Sequence, residues 1–201
     1  MAVFLHIGCG QKRQDQTTRG FRDPSWREVR FDIDPLVEPD LVGTMTDMSV
    51  VADGSMDGLF SSHNIEHLYP YEVGVALKEF ARVLKPDGIA VITCPDLQSV
   101  CALVAQDRLL EPAYESPSGP ISPLDILYGL RSSLQQGHHY MAHRCGFTLR
   151  VLIAVLRECG FPHVIGMARP KEFDLWVITS KGLDQMTLHA LSKAHFPKRA
   201  G

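Results

Sequence analysis

Residues 3–10 read VFLHIGCG, a short apolar run that ends in two glycines separated by one residue. An apolar run without a polar face is typical of a strand buried on both sides, and the glycines predict a tight turn directly after it. Because glycine lacks a Cβ atom, such a turn lets the backbone approach a ligand and point its N–H groups at it. An ordinary tight turn would use the same two glycines.

Strands and helices alternate along the rest of the chain. Further strands are predicted at 27–34 (REVRFDID), 57–63 (DGLFSSH), 89–94 (IAVITC) and 174–179. Residues 71–84 carry apolar side chains at helical spacing, and Thr148 can cap another helix that stops at Gly160. This alternation of buried strands and helices indicates an α/β fold with a mostly parallel sheet covered on both faces.

The composition fits one folded domain over residues 1–201, with 45% hydrophobic and 21% charged residues. Residues 107–147 are rich in proline and match neither pattern, so we expect an inserted segment that covers the substrate. The net charge of −3 gives no electrostatic reason to expect a nucleic-acid partner. No apolar run is long enough to span a membrane. Five scattered cysteines predict reduced thiols and a cytoplasmic location.

Asp32 and Asp34 end the second predicted strand, about twenty residues beyond the glycine turn, where an acid can bind the hydroxyls of an adenosine ribose. We predict this role for Asp32, and for Asp34 the capping of the turn that follows. Arg13 occupies the position of the third glycine of a dinucleotide fingerprint, and the sequence contains no P-loop. NAD and ATP are therefore disfavoured as ligands.

Six segments in order resemble the class I S-adenosylmethionine-dependent methyltransferases. They are FLHIGCG (4–10), VRFDID (29–34), TDM (46–48), DGLFSSHNIEH (57–67), FARVLKPDG (80–88) and CPD (94–96). The later GFT (146–148) and ECGF (158–161) are similar to the closing helix and strand of that family. The resemblance implies a Rossmann-like, seven-stranded, mostly parallel sheet with helices on both faces and an antiparallel last strand. It also implies S-adenosylmethionine as the cofactor.

The resemblance further implies a set of cofactor-binding residues. They are His6, Gly8, Cys9, Gly10, Asp32, Ile33, Asp47, Met48, Ser62 and His63. The glycines would lie beside the methionine part, Asp32 on the ribose, Asp47 at the adenine amino group, and Ile33 and Met48 on the ring faces. Ser62 and His63 would lie near the sulfonium. The family often has an acid where His6 stands and a glycine where Lys12 stands.

Methyl transfer needs a general base when the acceptor is a protonated hydroxyl or amine, and histidine is suited to that task near neutral pH. His143 is the first candidate, followed by His139 and His67. His63 with His67, and His139 with His143, also have the i, i+4 spacing of metal ligands, and Glu66 adds an oxygen ligand. The sequence contains no H-E-x-x-H motif, and we expect no metal.

The sequence therefore predicts an S-adenosylmethionine-dependent methyltransferase that acts on a small-molecule or glycan-like acceptor. Two alternatives stay open. One is a module of the same fold that binds the cofactor without turnover, and the less favoured one is a metal-dependent hydrolase built on the histidine pairs.

Overall fold

The computed structural model describes residues 1–198. Its strands are β1 (Ala2–Ile7), β2 (Trp26–Asp32), β3 (Leu41–Val42), β4 (Met56–Ser62), β5 (Leu84–Pro95), β6 (Tyr114–Ser116), β7 (Gly119–Ile121), β8 (His163–Arg169) and β9 (Asp174–Ser180). Its helices are α1 (Pro70–Val83), α2 (Leu97–Val104), α3 (Pro123–Tyr128), α4 (Arg131–Gln135), α5 (Leu149–Glu158) and α6 (Gln185–His195). Within this part of the chain, no helix is both long and apolar enough to cross a bilayer.

Seven strands form one sheet in the order β3-β2-β1-β4-β5-β9-β8, and β6 pairs with β7 in a separate hairpin. Neighbouring strands from β3 to β5 are parallel, whereas β9 is antiparallel to both β5 and β8. The predicted Rossmann-like sheet with its antiparallel last strand is confirmed. The strand order reverses between β1 and β4, so a ligand crevice is expected beyond the carboxyl ends of these strands.

Both faces of β1 are buried, as its apolar run predicts. Leu5 and Ile7 belong to the larger core, which α1 and α5 cover with side chains such as Phe80 and Leu152. Phe4 belongs to a second core on the other face, which also contains Leu188 of α6. Because apolar cores hold both sides of β1, the position of the turn that follows it is fixed.

The helix predicted at 71–84 is α1, whose buried face consists of Val73, Ala76, Leu77, Phe80 and Val83. The structure differs from the sequence prediction directly after this helix. The strand was expected at 89–94, but β5 begins at Leu84, which pairs with Met56. The register then shifts so that Ile89 pairs with Gly58, and residues 85–88 bulge out of the ladder.

Residues 107–147, the predicted covering segment, contain the β6–β7 hairpin, α3, α4 and a 3₁₀ turn at His139–Met141. Ile121 and Ile126 of this segment pack with Val100 of α2 in a small apolar cluster. Asp125 joins α3 to α4, because Arg131 Nε donates to its carboxylate over 2.8 Å. Burial raises the pKa of Asp125, but the hydrogen bonds from Arg131 and Ser122 outweigh burial and hold that pKa well below its usual range.

Candidate active site

The turn after β1 has the backbone that the two glycines predicted. Gly8 and Gly10 both adopt positive φ, at 59° and 52°. A Cβ atom on Gly8 would lie 1.9 Å from Oδ1 of Asn64. A Cβ atom on Gly10 would have no other atom within 4 Å. Asn64 Nδ2 donates to the Ile7 carbonyl over 2.8 Å, so its side chain fastens the turn to the end of β4. Gly8 is therefore required for close packing as well as for its φ.

Asp32 ends β2 beside this turn and is 8% exposed. Its two oxygens accept hydrogen bonds from the Gly10 N–H over 2.8 Å and the Asp34 N–H over 3.0 Å. Each carboxylate oxygen can accept more than one hydrogen bond, so both keep capacity for a ligand. Buried Arg30 also donates to the Gly10 carbonyl. The carboxylate and the amides of the turn are thus held in one rigid group.

A cavity of about 730 Å³ lies at the carboxyl ends of β1, β2 and β4. Eight of the ten residues predicted to bind the cofactor line it, namely His6, Gly8, Cys9, Gly10, Asp32, Ile33, Ser62 and His63. His63 has a backbone φ of 55°, a conformation that residues other than glycine rarely adopt. Strain of this kind is common at ligand sites, and here it follows the last residue of β4.

Asp47 and Met48, the other two predicted residues, do not line this cavity. Met48 is fully buried in the larger core. Asp47 accepts a hydrogen bond from the Ser49 N–H over 3.1 Å, which lowers the pKa of the exposed Asp47 carboxyl. Met45 and Thr46 line the wall instead. The segment lies at the cavity, but the direction of each side chain in an irregular turn is set by packing that the sequence pattern does not contain.

The covering segment forms the remaining wall of the cavity with Ser133, His138, Tyr140, Met141 and Arg144. The Tyr140 hydroxyl donates to Asp34 Oδ2 over 2.9 Å, so it joins this segment to the end of β2. The sequence analysis missed Tyr140, although the residue lies in a stretch dense in aromatic and titratable groups. That density of aromatic and titratable residues is the feature of the sequence that could have identified Tyr140.

The three histidines predicted as acid or base catalysts have different positions. His67 lines the large cavity. His143 lies behind it and lines a smaller cavity of about 160 Å³, with its ring centroid 4.8 Å from that of His67. His139 is exposed and lines neither cavity. Burial lowers the pKa of His143, so this ring is neutral at physiological pH.

Glu66, His67 and His143 form a group whose potential ligand atoms all lie within 4.8 Å of one another. His63, predicted as a partner of His67 at i, i+4, instead contacts Glu66, with its Nδ1 3.4 Å from Oε1. The predicted pairing of His139 with His143 is likewise absent among the described residues: His143 Nδ1 donates to the Ile126 carbonyl, and His139 is not part of the group.

Comparisons with known proteins match both the sequence and the fold. Residues 5–92 match a family model described as a methyltransferase domain, just under half of the chain. A comparison with curated proteins gives no significant match.

Solved structures share the fold across most of the chain. An S-adenosylmethionine-dependent methyltransferase from Methanosarcina mazei is 17% identical with a TM-score of 0.60, over 90% of this chain and 93% of that one. The 1,6-didemethyltoxoflavin-N1-methyltransferase of Burkholderia thailandensis, with 1,6-didemethyltoxoflavin and S-adenosylhomocysteine bound, is 18% identical with a TM-score of 0.54, over 90% and 71%. A methyltransferase from Archaeoglobus fulgidus is 15% identical with a TM-score of 0.55, over 90% and 86%.

The architecture and the crevice beside β1 define the class I methyltransferase fold. Together with the family match over β1 to β5, they support a class I S-adenosylmethionine-dependent methyltransferase whose cofactor is S-adenosylmethionine.

Proposed function

We propose that this enzyme transfers the methyl group of S-adenosylmethionine to a small-molecule or glycan-like acceptor, bound in the large cavity under the covering segment. The observation that carries the proposal is the rigid group formed by the glycine turn and the Asp32 carboxylate at the edge of this cavity. A cavity of about 730 Å³ is within the usual range for small-molecule sites, roughly 300–1,000 Å³.

The cofactor is proposed to lie along the ends of β1, β2 and β4. Its methionine part contacts the Gly8–Gly10 turn, and its ribose hydroxyls donate to Asp32. Ile33, which is exposed at the cavity wall, packs on the adenine ring. Thr46 replaces the originally predicted Asp47 at the adenine end, because Thr46 lines the cavity and Asp47 does not. This arrangement places the sulfonium near Ser62 and His63.

The acceptor is proposed to enter beside the covering segment, between Tyr140, Met141 and Arg144. His67 is the histidine that we place against the acceptor, and His143 positions its ring. Methyl transfer from a sulfonium is an in-line displacement for which the cofactor is already activated, so the protein must chiefly align the nucleophile with the methyl carbon. A cavity lined by rigid strand ends on one side and by side chains of the covering segment on the other suits that task.

Replacing Asp32 tests the cofactor site. Asp32→Ala removes the acceptor of the ribose hydroxyls, so we expect S-adenosylmethionine to bind about 1.5–3 kcal/mol more weakly by titration calorimetry. Asp34→Ala is the matched control, since this neighbouring acid caps a turn through the Leu36 N–H and should change affinity much less. An unchanged dissociation constant in Asp32→Ala would contradict the proposed site.

A panel of acceptors tests the acceptor class. We expect S-adenosylhomocysteine release with hydroxyl-bearing small molecules or oligosaccharides. Release with nucleic acid or protein alone would contradict the proposal, and cofactor binding without release to any acceptor would favour a module without turnover.

We also propose a cytoplasmic location and no nucleic-acid partner. Support for the first comes from five cysteines that are all unpaired. Support for the second comes from the net charge of −3.

A further inference from the structure

Glu66 is buried without a hydrogen-bond partner. It is 1% exposed, and within residues 1–198 neither of its carboxylate oxygens accepts a hydrogen bond. The nearest basic group is His63 Nδ1, 3.4 Å from Oε1, on a side chain that is 48% exposed. Burying a carboxylate costs several kcal/mol unless a positive charge and good hydrogen bonds compensate for lost water. This carboxylate therefore lacks the hydrogen bonds that its burial requires.

Two imidazole rings lie against the same carboxylate. One ligand atom from each of Glu66, His67 and His143 falls within 4.8 Å of the others. The residues come from distant parts of the sequence, the turn after β4 and the end of the covering segment. They therefore form a convergent group that the fold assembles.

Both rings are oriented by a backbone carbonyl. His67 Nδ1 donates to the Ala142 carbonyl over 3.2 Å, and His143 Nδ1 donates to the Ile126 carbonyl over 2.7 Å. A carbonyl oxygen can only accept, so Nδ1 carries the hydrogen in each ring and the lone pair of the neutral imidazole lies on Nε2. Proteins orient metal-binding histidines through the same kind of second hydrogen bond.

Hydrogen bonds that do not involve these side chains hold the two segments together. The N–H groups of Arg144 and Cys145 donate to the Glu66 carbonyl over 2.8 and 3.2 Å. The Arg144 guanidinium donates to the His67 carbonyl over 3.1 Å. The backbone thus preorganises the three side chains.

We propose that Glu66, His67 and His143 bind one divalent transition-metal ion, for which Zn²⁺ is best suited. Two imidazole nitrogens and one carboxylate oxygen form a donor set that proteins use for Zn²⁺, with a fourth position left for water or an acceptor oxygen. The ion supplies the direct partner that the Glu66 oxygens lack. The site departs from the sequence-based expectation of no metal.

This inference rests on the proposed function where it assigns the site a role, because His67 is the residue placed against the acceptor. When Nε2 of His67 binds the ion, it cannot also take the acceptor's proton. The role of His67 toward the acceptor is then to hold the ion. The ion also links the covering segment to the turn after β4. Binding of the metal itself requires neither cofactor nor acceptor.

Zn²⁺ binding is measured on the full chain after removal of metal with a chelator. We expect calorimetry to give one Zn²⁺ per chain, Co²⁺ to give the visible absorption of a four-coordinate site, and Zn²⁺ to raise the melting temperature. His67→Ala and His143→Ala should weaken Zn²⁺ binding at least a hundredfold. His189→Ala, which replaces an exposed histidine of α6, is the matched control and should bind Zn²⁺ as tightly as the wild type.

Glu66→Gln keeps the size of the side chain and removes its charge. We expect it to fold, to melt no lower than the metal-free wild type, and to lose the stabilisation by Zn²⁺. Absence of stoichiometric Zn²⁺ binding by the wild type, or undiminished binding by Glu66→Gln, would overturn the proposal. Titration of the metal-free chain with S-adenosylmethionine separates the two proposals. If the chain does not bind Zn²⁺, cofactor binding at Asp32 is still expected, and if it does not bind the cofactor, Zn²⁺ binding is still expected.

Discussion

The two walls of the large cavity are built differently. On one side, the ends of β1, β2 and β4 present backbone amides and the Asp32 carboxylate, all held by buried strands. On the other, the covering segment presents side chains such as Tyr140 and Arg144 from short helices and turns. The first wall depends on where the backbone runs, and the second on which side chains the segment carries.

This difference teaches where substitutions should act. At Gly8, the backbone of the strand ends leaves no room for a Cβ atom, whereas we expect the covering segment to lose a side chain and still fold. Effects on stability and cofactor affinity should therefore concentrate in the first wall, and effects on turnover in the second.

The largest effect is expected at Gly8. Gly8→Ala places a methyl group at positive φ and against Asn64, so we expect a loss of about 2–4 kcal/mol in unfolding free energy. Gly10→Ala, with positive φ but open space, should cost only about 1 kcal/mol. Urea denaturation measures both variants. Equal losses would show that conformation alone, and not contact with Asn64, makes Gly8 necessary.

Acid should destabilise the fold through His195, which lies outside both cavity walls. This buried side chain of α6 bonds to Thr18 in the β1–β2 connection, and burial lowers the pKa of His195 to about 4. Unfolding restores the usual pKa of about 6.5, so stability is full above that pH and falls as pH drops towards 4, by about 3 kcal/mol in all. His195→Asn should remove this part of the pH dependence. Parallel stability curves for wild type and variant between pH 7.5 and 4.5 would contradict the assignment.

Turnover should depend on His143. Since its ring contacts His67 behind the cavity wall, His143→Ala is expected to lower turnover at least tenfold while the dissociation constant of S-adenosylmethionine changes less than twofold. Release of S-adenosylhomocysteine and calorimetry measure the two quantities. His139→Ala, in the same segment but outside both cavities, should change neither. A loss of cofactor affinity in His143→Ala would contradict the expectation that cofactor affinity depends on the first wall and turnover on the second.

The smallest effect is expected where the walls meet. Tyr140→Phe removes the hydroxyl that donates to Asp34, an exposed hydrogen bond that should contribute less than about 1 kcal/mol. We expect faster amide hydrogen exchange in residues 138–143 and nearly unchanged melting. Unchanged exchange would show that other contacts hold the segment.

The first wall could be predicted in detail because its pattern is local. The apolar run before Gly8 predicted β1, and the glycines predicted the turn. The strand pattern that ends at Asp32 predicted that this acid lies beside the turn. Asp47 and Met48 show where this reasoning stops. They follow no regular strand, so their directions depend on contacts with Ser49 and with the core.

The sequence alone determined five of the seven strands of the sheet, helices α1 and α5, the glycine turn and the acid beside it, because apolar periodicity and glycine conformation act over a few residues. Only the tertiary structure decided that His67 faces the cavity, that His143 lies behind it with Glu66, and that His139 points to solvent. Residues in turns have no period that assigns a face, so their neighbours are known only once the chain has folded and distant segments are packed together.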